Sequence, residues 1–200
     1  MQKSQRPSAD TTRNKIIASA KELFLEKGFD GVSINSIAKL AQVNKTLIFH
    51  HYQDKINLWQ AVKAHIMSVE HHVPQYDTSS AKEYFESVLN YRFKLYATNP
   101  DLARLVIWQQ VSDEHEALIG NHYCSPNNWL ADIKLLQECG EIVQSIDPEL
   151  IMLFLIYSSH APFLQSIVLL TKKQIAQYKQ IILQSCMTQF SASGENSESA

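Results

Sequence analysis

Ser33-Ile34-Asn35-Ser36-Ile37-Ala38-Lys39-Leu40-Ala41-Gln42-Val43-Asn44-Lys45-Thr46-Leu47-Ile48-Phe49-His50-His51-Tyr52-Gln53-Asp54-Lys55 holds two short helical patterns around a tight turn. Ser33 is a good N-cap for a helix whose inward face carries Ile34, Ile37, Ala38 and Ala41. Ala38 is small where a second helix must cross closely. Val43 plugs the turn, Asn44 can cap the next helix, and Ile48 and Tyr52 form its inward i, i+4 pair. Lys45, Thr46, Phe49 and His50 remain outward, with Leu47 and His51 at the edges. Polar and cationic on its outer side, this surface suits phosphates and base edges. The pattern is that of a helix-turn-helix, which lays its second helix in the major groove of DNA.

The flanks extend the pattern. Upstream, Thr12 can cap a helix from Arg13 to about Lys27, with Ile16, Ile17, Ala20, Leu23 and Phe24 as its apolar stripe; Gly28 then ends it. Downstream, Asp54 can cap a helix from Lys55 to about His72 that carries Leu58, Trp59, Val62 and Ile66. Three pieces carry a resemblance: Leu23-Phe24-Leu25-Glu26-Lys27-Gly28-Phe29, then Ser33 to Ala41, then Thr46 to Tyr52 with Lys55. Together, over roughly Thr12 to Leu58, they resemble the N-terminal domain of the TetR (tetracycline-repressor-like) family. The chain departs from the family pattern where Gln42 replaces the usual turn Gly, Phe49 the usual Tyr, and Ile56 the usual Glu. Thr46 and Leu47 also differ from the small and hydroxyl residues usual there.

Two hundred residues with 45% apolar content can bury one or two ordinary cores. The ends, 1–10 and 191–200, are polar and rich in small residues, and disorder is expected at both, with 191–200 as a disordered tail. Cys124, Cys139 and Cys186 form an odd set without metal-type spacing, and no apolar secretory segment opens the chain, so a cytoplasmic location is expected. Residues 1–65 carry a net +5 and residues 66–200 a net −7. A basic head on an acidic remainder fits nucleic-acid binding at one end only. From Leu150 to Leu170 no charged residue occurs. Ser158, Ser159, His160, Pro162, Gln165 and Ser166 argue against a membrane span there. A helix buried by a second subunit has the same composition.

The expected fold is all-α: a three-helix helix-turn-helix head and a helical ligand-binding and dimerisation body. The expected divisions are 1–53 (arm and DNA-binding domain), 54–72 (connecting helix), 73–190 (effector-binding and dimerisation domain) and 191–200 (tail). In the body, helices are predicted over Ala81 to Thr98 and from an Asp101 cap through Val111. Others follow over Trp129 to about Cys139, from Asp147-Pro148 to Leu170, and from Lys172 to about Phe190. Pro162 should kink or divide the long one. Residues 113–128 read as irregular or weakly helical, and no convincing strand signal occurs. Apolar residues on more than one face of the last two helices favour a four-helix contact in a homodimer. The resemblance implies the same. Two recognition helices then stand one DNA turn apart, about 34–36 Å or a multiple, and the operator is palindromic.

The residues aligned with base-reading positions of the family are Asn35, Lys45, Thr46 and His50. Lys45 can donate to guanine O6 or N7, and the Thr46 methyl can meet a thymine methyl. Phosphate positioning falls to Ser33, the Leu47 backbone, His51 and Lys55, with Asn44 and Phe49 completing the DNA-facing set. A cation beside a helix N-terminus is unfavourable unless an anion is near, which supports a phosphate role for Lys55. Lys3, Arg6 and Arg13 of the arm can add salt-sensitive contacts. The resemblance further implies a pocket in the body for a small-molecule effector. Tyr91, Trp108, Trp129, Tyr157, His160 and Phe163 are its candidate lining, suited to a mostly apolar molecule fixed by a few hydrogen bonds.

His71-His72, and His115 with His122 and Cys124, lack a compact metal spacing, so no metal and no cofactor are expected. No phosphate loop, nucleophile elbow or His-Glu-x-x-His motif occurs, and no catalytic residue is assigned. The leading reading is a dimeric, ligand-responsive transcriptional repressor. The alternative is a helix-turn-helix scaffold or interaction protein with weak DNA specificity, which Gln42, Leu47 and Phe49 keep open.

Overall fold

The computed structural model describes residues 9–67, 75–111, 126–164 and 169–192. The helices among them are α1 (Ala9–Lys27), α2 (Ile34–Ala41), α3 (Lys45–Tyr52), α4 (Lys55–Met67), α5 (Ala81–Thr98), α6 (Pro100–Val111), α7 (Pro126–Glu138), α8 (Pro148–His160) and α9 (Lys172–Phe190). They fall into two compact units. The first holds α1–α4 together with α6 from Arg104 onward; the second holds α5, α6 up to Ala103, and α7–α9. The expected connecting helix is thus part of the first unit, where α4 packs against α1 and α3.

The first unit is built on the stripes expected from spacing. Ile16, Ile17, Ala20, Leu23 and Phe24 of α1 are buried, as are Leu58, Trp59, Val62 and Ile66 of α4. Phe24 and Trp59 meet at 4.8 Å between ring centroids. α1 starts four residues before the expected Arg13, so Thr12 lies inside the helix and is not its cap. It ends at Gly28, which takes φ +73° while its N–H donates to the Phe24 carbonyl at 2.9 Å. Trp108 of α6 covers this end: its Nε1 donates to the Leu25 carbonyl at 3.0 Å. The bond satisfies one of the acceptors that a helix C-terminus leaves open.

The second unit has its core between α5, α7, α8 and α9: Tyr84, Phe85, Val88, Leu89 and Phe93 meet Trp129, Ile133, Leu136, Ile151, Leu155, Ile182, Cys186 and Phe190. Ser80 caps α5 and Thr171 caps α9 with a full capping box to Gln174. α6 is capped by Asn99, whose Oδ1 accepts from Leu102 N at 3.2 Å, rather than by Asp101. α7 begins at Pro126, three residues ahead of the expected Trp129. Pro162 falls in a short 3-10 turn, Ala161–Phe163, so the long apolar helix stops at His160 instead of Leu170. A proline lacks the N–H that continuation requires.

The only β feature among the described residues is an isolated antiparallel bridge, Ile142 with Ser191. It ties the end of α9 to the α7–α8 turn through Val143 N to the Phe190 carbonyl (2.9 Å) and Ala192 N to the Glu141 carbonyl (3.0 Å). Burial pushes the Cys186 thiol up to about 12. No described helix is long and apolar enough to cross a membrane. Lys3, Arg6, His71, His72, His115, His122, Cys124, Gln165 and Ser166 lie outside the described residues, as do 193–200 of the tail.

Candidate nucleic-acid interface and body cluster

Ser33 caps α2 in both directions: its Oγ accepts from Ser36 N at 3.0 Å, and Ser36 Oγ accepts from Ser33 N at 3.2 Å. Ile34, Ile37, Ala38 and Ala41 are buried, leaving Asn35 and Lys39 exposed. Gln42 then takes φ 56° and ψ 42°, the left-handed conformation that glycine ordinarily supplies. The turn expected from the resemblance is therefore kept, at a backbone cost. Gln42→Gly should raise stability by about 0.5–1 kcal/mol, because the strain relieved exceeds the added freedom of the unfolded chain. A urea titration of both proteins measures this, and an unchanged midpoint would show the strain to be negligible.

α3 starts where Asn44 Oδ1 accepts from Thr46 N at 2.9 Å. Ile48 and Tyr52 are buried; Lys45, Thr46 and His50 are exposed, Phe49 is 39% exposed, and Leu47 and His51 are half-buried. The outward residues thus share one side of the helix, and the inward pair anchors the other. Burial of a side chain like Ile48 contributes about 1.5–3 kcal/mol, enough to fix which face is out. Asp54 caps α4 through Asn57 N at 2.7 Å, as expected.

Two cations of this surface lie on aromatic rings. The Lys45 Nζ is 5.5 Å from the Phe49 centroid, and the Lys55 Nζ is 4.2 Å from that of Phe29. Arg13 similarly sits over Tyr52 at 5.9 Å. None of these ring contacts was foreseen from sequence. The i, i+4 spacing of Lys45 and Phe49 was the available signal.

The six body residues expected at a ligand pocket separate into three groups. Trp108 belongs to the first unit, against Gly28 and Leu25. Tyr157 is 53% exposed on the outer side of α8. The other four lie in the second unit within a ring network. Tyr76 stands 6.2 Å from Tyr91 and 5.6 Å from Trp129, and Phe163 stands 5.5 Å from both Phe93 and Tyr96. His160 stacks on Tyr96 at 4.9 Å.

Between these rings lies Arg92, only 1% exposed. Its Nε donates to Ser159 Oγ, and its Nη2 donates to Tyr96 Oη (2.9 Å) and the Ile156 carbonyl (3.2 Å). Its guanidinium also lies over the Trp129 and Tyr96 rings, at 5.4 and 5.2 Å. Sequence reasoning passed over Arg92, Tyr96 and Tyr76 as site residues. An arginine spaced with Val88, Leu89, Phe93 and Tyr96 on the apolar side of α5 was the sign.

His160 is 2% exposed and its Nε2 has no hydrogen-bond partner. Burial and the neighbouring Arg92 charge lower its pKa to about 4, against the opposing effect of a hydrogen bond to the Ala103 backbone. The native imidazole thus stays neutral while an unfolded one protonates below about 6.5. Between these values the unfolded state binds more protons. Stability therefore falls as pH drops from about 6.5 to about 4, with a slope of up to about 1.4 kcal/mol per pH unit. Urea midpoints at pH 7.5, 6 and 5 should show this decline, and His160→Gln should flatten it. An equal decline in the variant would assign it to other groups.

Residues 16–62 match the family model described as bacterial regulatory proteins, tetR family. The HTH-type transcriptional repressor SCO4008 of Streptomyces coelicolor is 28% identical over 159 residues, 76% of this chain and 79% of that protein. The biofilm operon icaADBC HTH-type negative transcriptional regulator IcaR of Staphylococcus aureus is 38% identical over 52 residues, 26% of this chain and 28% of its own length. A solved TetR family transcription regulator from Marinobacter aquaeolei VT8 shares the fold, with a TM-score of 0.63 at 16% identity. That match covers 88% of this chain and 95% of the other.

Proposed function

The chain belongs to the TetR family of bacterial regulatory proteins, which makes it a DNA-binding transcriptional regulator, and from that premise we propose that it is a repressor acting as a homodimer on a palindromic operator. The observation that carries the reading is the outer side of α3, where Lys45, Thr46, Phe49 and His50 stand together above buried Ile48 and Tyr52. In this reading Asn35, Lys45, Thr46 and His50 face bases. Ser33, the Leu47 backbone, His51 and Lys55 position the helix on the phosphates, and Asn44 and Phe49 complete the DNA-facing set. In this reading Lys55 serves a phosphate as well as the Phe29 ring, whose centroid is 4.2 Å from its Nζ.

The dimer forms through α8 and α9. Leu150, Leu153, Phe154 and Tyr157 are all exposed at spacings of three and four residues on α8, opposite the buried Ile151, Leu155 and Ser159. Such a stripe on a single chain is the size of feature that a partner covers. The effector site is the network of Tyr91, Trp129, His160 and Phe163 around Arg92 and Tyr96. An effector shifts DNA affinity only by binding two arrangements unequally, and about 1–3 kcal/mol of difference gives a roughly 5–150-fold change.

Selection of bound duplexes from a random pool, followed by salt-titrated binding to the winners, tests the central claim. A preference of roughly 10³ or more over random duplex is expected, at half-sites related by a two-fold axis. Binding without sequence preference would replace this reading with a scaffold that keeps the head but recruits another protein.

A further inference from the structure

Lys45 opens α3 at its first helical position, where unpaired N–H groups give the helix end a partial positive charge. A cation there is held back from the helix end by repulsion, and its flexible stem has many orientations of similar energy. The usual remedy is a neighbouring carboxylate. On a DNA-facing surface that remedy fails twice, because it cancels the cation and adds a charge that phosphates repel.

Here the neighbour one turn on is Phe49, whose ring lies under the Lys45 Nζ with its centroid 5.5 Å away. The ring quadrupole attracts the ammonium without neutralising it and leaves its outer N–H groups free to donate. Both side chains are accessible on the outer side of the helix, so the pair meets an incoming duplex as one unit. An ammonium held this way has already lost much of the freedom that base reading would otherwise remove.

We propose that Phe49 is a positioning residue for specificity: its ring aims the Lys45 ammonium at a guanine O6 or N7, so that Phe49 sets a base preference without reading a base. This rests on the DNA-reading role of α3. The chain needs a ring at this position, and the phenolic hydroxyl absent from Phe49 plays no part in the preference.

The test measures the relative affinity of purified full-length protein for selected duplexes that differ at one position of each half-site, with guanine or adenine. The wild type should favour guanine there by about 5–150-fold, the span of a good base contact. Lys45→Met should abolish this preference. Phe49→Leu should reduce it by about two- to five-fold, the worth of an exposed cation–π contact. Phe49→Tyr should retain it.

In the Lys45→Met background, Phe49→Leu should cost nothing further at that position. Thermal midpoints check that every variant is folded. Undiminished guanine preference in Phe49→Leu overturns the proposal. So does a Phe49→Leu effect that persists without Lys45, since Phe49 would then act on its own. A wild type with no base preference at any position removes the DNA-reading role itself, which is a separate result.

Discussion

With the proposed contact through α8 and α9, Leu153→Glu combined with Tyr157→Glu should leave the protein monomeric and lower operator affinity by about 10²–10⁴-fold. That is the gain expected when a second half-site is engaged through a linked partner. Both side chains are exposed on α8, one turn apart, so the charges should not disturb the fold of a single chain. In a dimer they would face a mirrored pair across a desolvated contact, where like charges without partners are costly. Sedimentation velocity reads the mass and circular dichroism the helix content. A variant that remains dimeric with unchanged affinity would place the contact elsewhere on the surface.

The second large effect is at Gly28. A Cβ built there would come 2.5 Å from Cζ3 and 2.7 Å from Cε3 of Trp108, on a residue whose φ is +73°. Neither term can relax cheaply. The ring is held by its Nε1 bond to the Leu25 carbonyl, and the left-handed backbone ends α1. Gly28→Ala should therefore destabilise the first unit by about 2–4 kcal/mol, combining left-handed strain with overpacking. Placing Gly28→Ala in a Trp108→Leu background should cost only the strain, about 1–2 kcal/mol. Equal costs in both backgrounds would show that the indole yields freely. Differential scanning calorimetry of the four proteins completes the cycle.

Most of the first unit was legible because its signals are local. Ser33, Asn44 and Asp54 each cap the helix that follows, and the spacing of Ile34, Ile37 and Ala41 fixes the inner face of α2 without knowledge of its partner. The left-handed conformation at Gln42 was implied only by the resemblance, whose usual residue there is Gly. Thr12 misled because a Ser, Thr, Asp or Asn upstream of an apolar stripe reads as a cap, yet Ala9 to Thr11 extend the helix before it.

The body was less legible. Its helices could be placed, but aromatic residues look alike whether they fill a core, cover a helix end or meet a partner. Trp108, Tyr157 and Trp129 sit in three different settings: Trp108 lies on Gly28, Tyr157 is exposed on α8, and Trp129 is packed beside Arg92. Pairings between distant residues, such as Arg92 with Ser159, leave no trace in periodicity. Only a charged residue in an apolar register hinted at them.

Cys186 gives the molecule a built-in clock. Its thiol is enclosed by the body core and held protonated at neutral pH, so alkylating reagents meet a nucleophile only when the packing around α9 breathes. Cys139, exposed at the end of α7, reports the reagent's unhindered rate on the same chain. The ratio of labelling at the two sites, resolved by peptide mass, therefore times the opening of the body in the intact, unmutated protein. Any compound that slows the first label while sparing the second has tightened that interior.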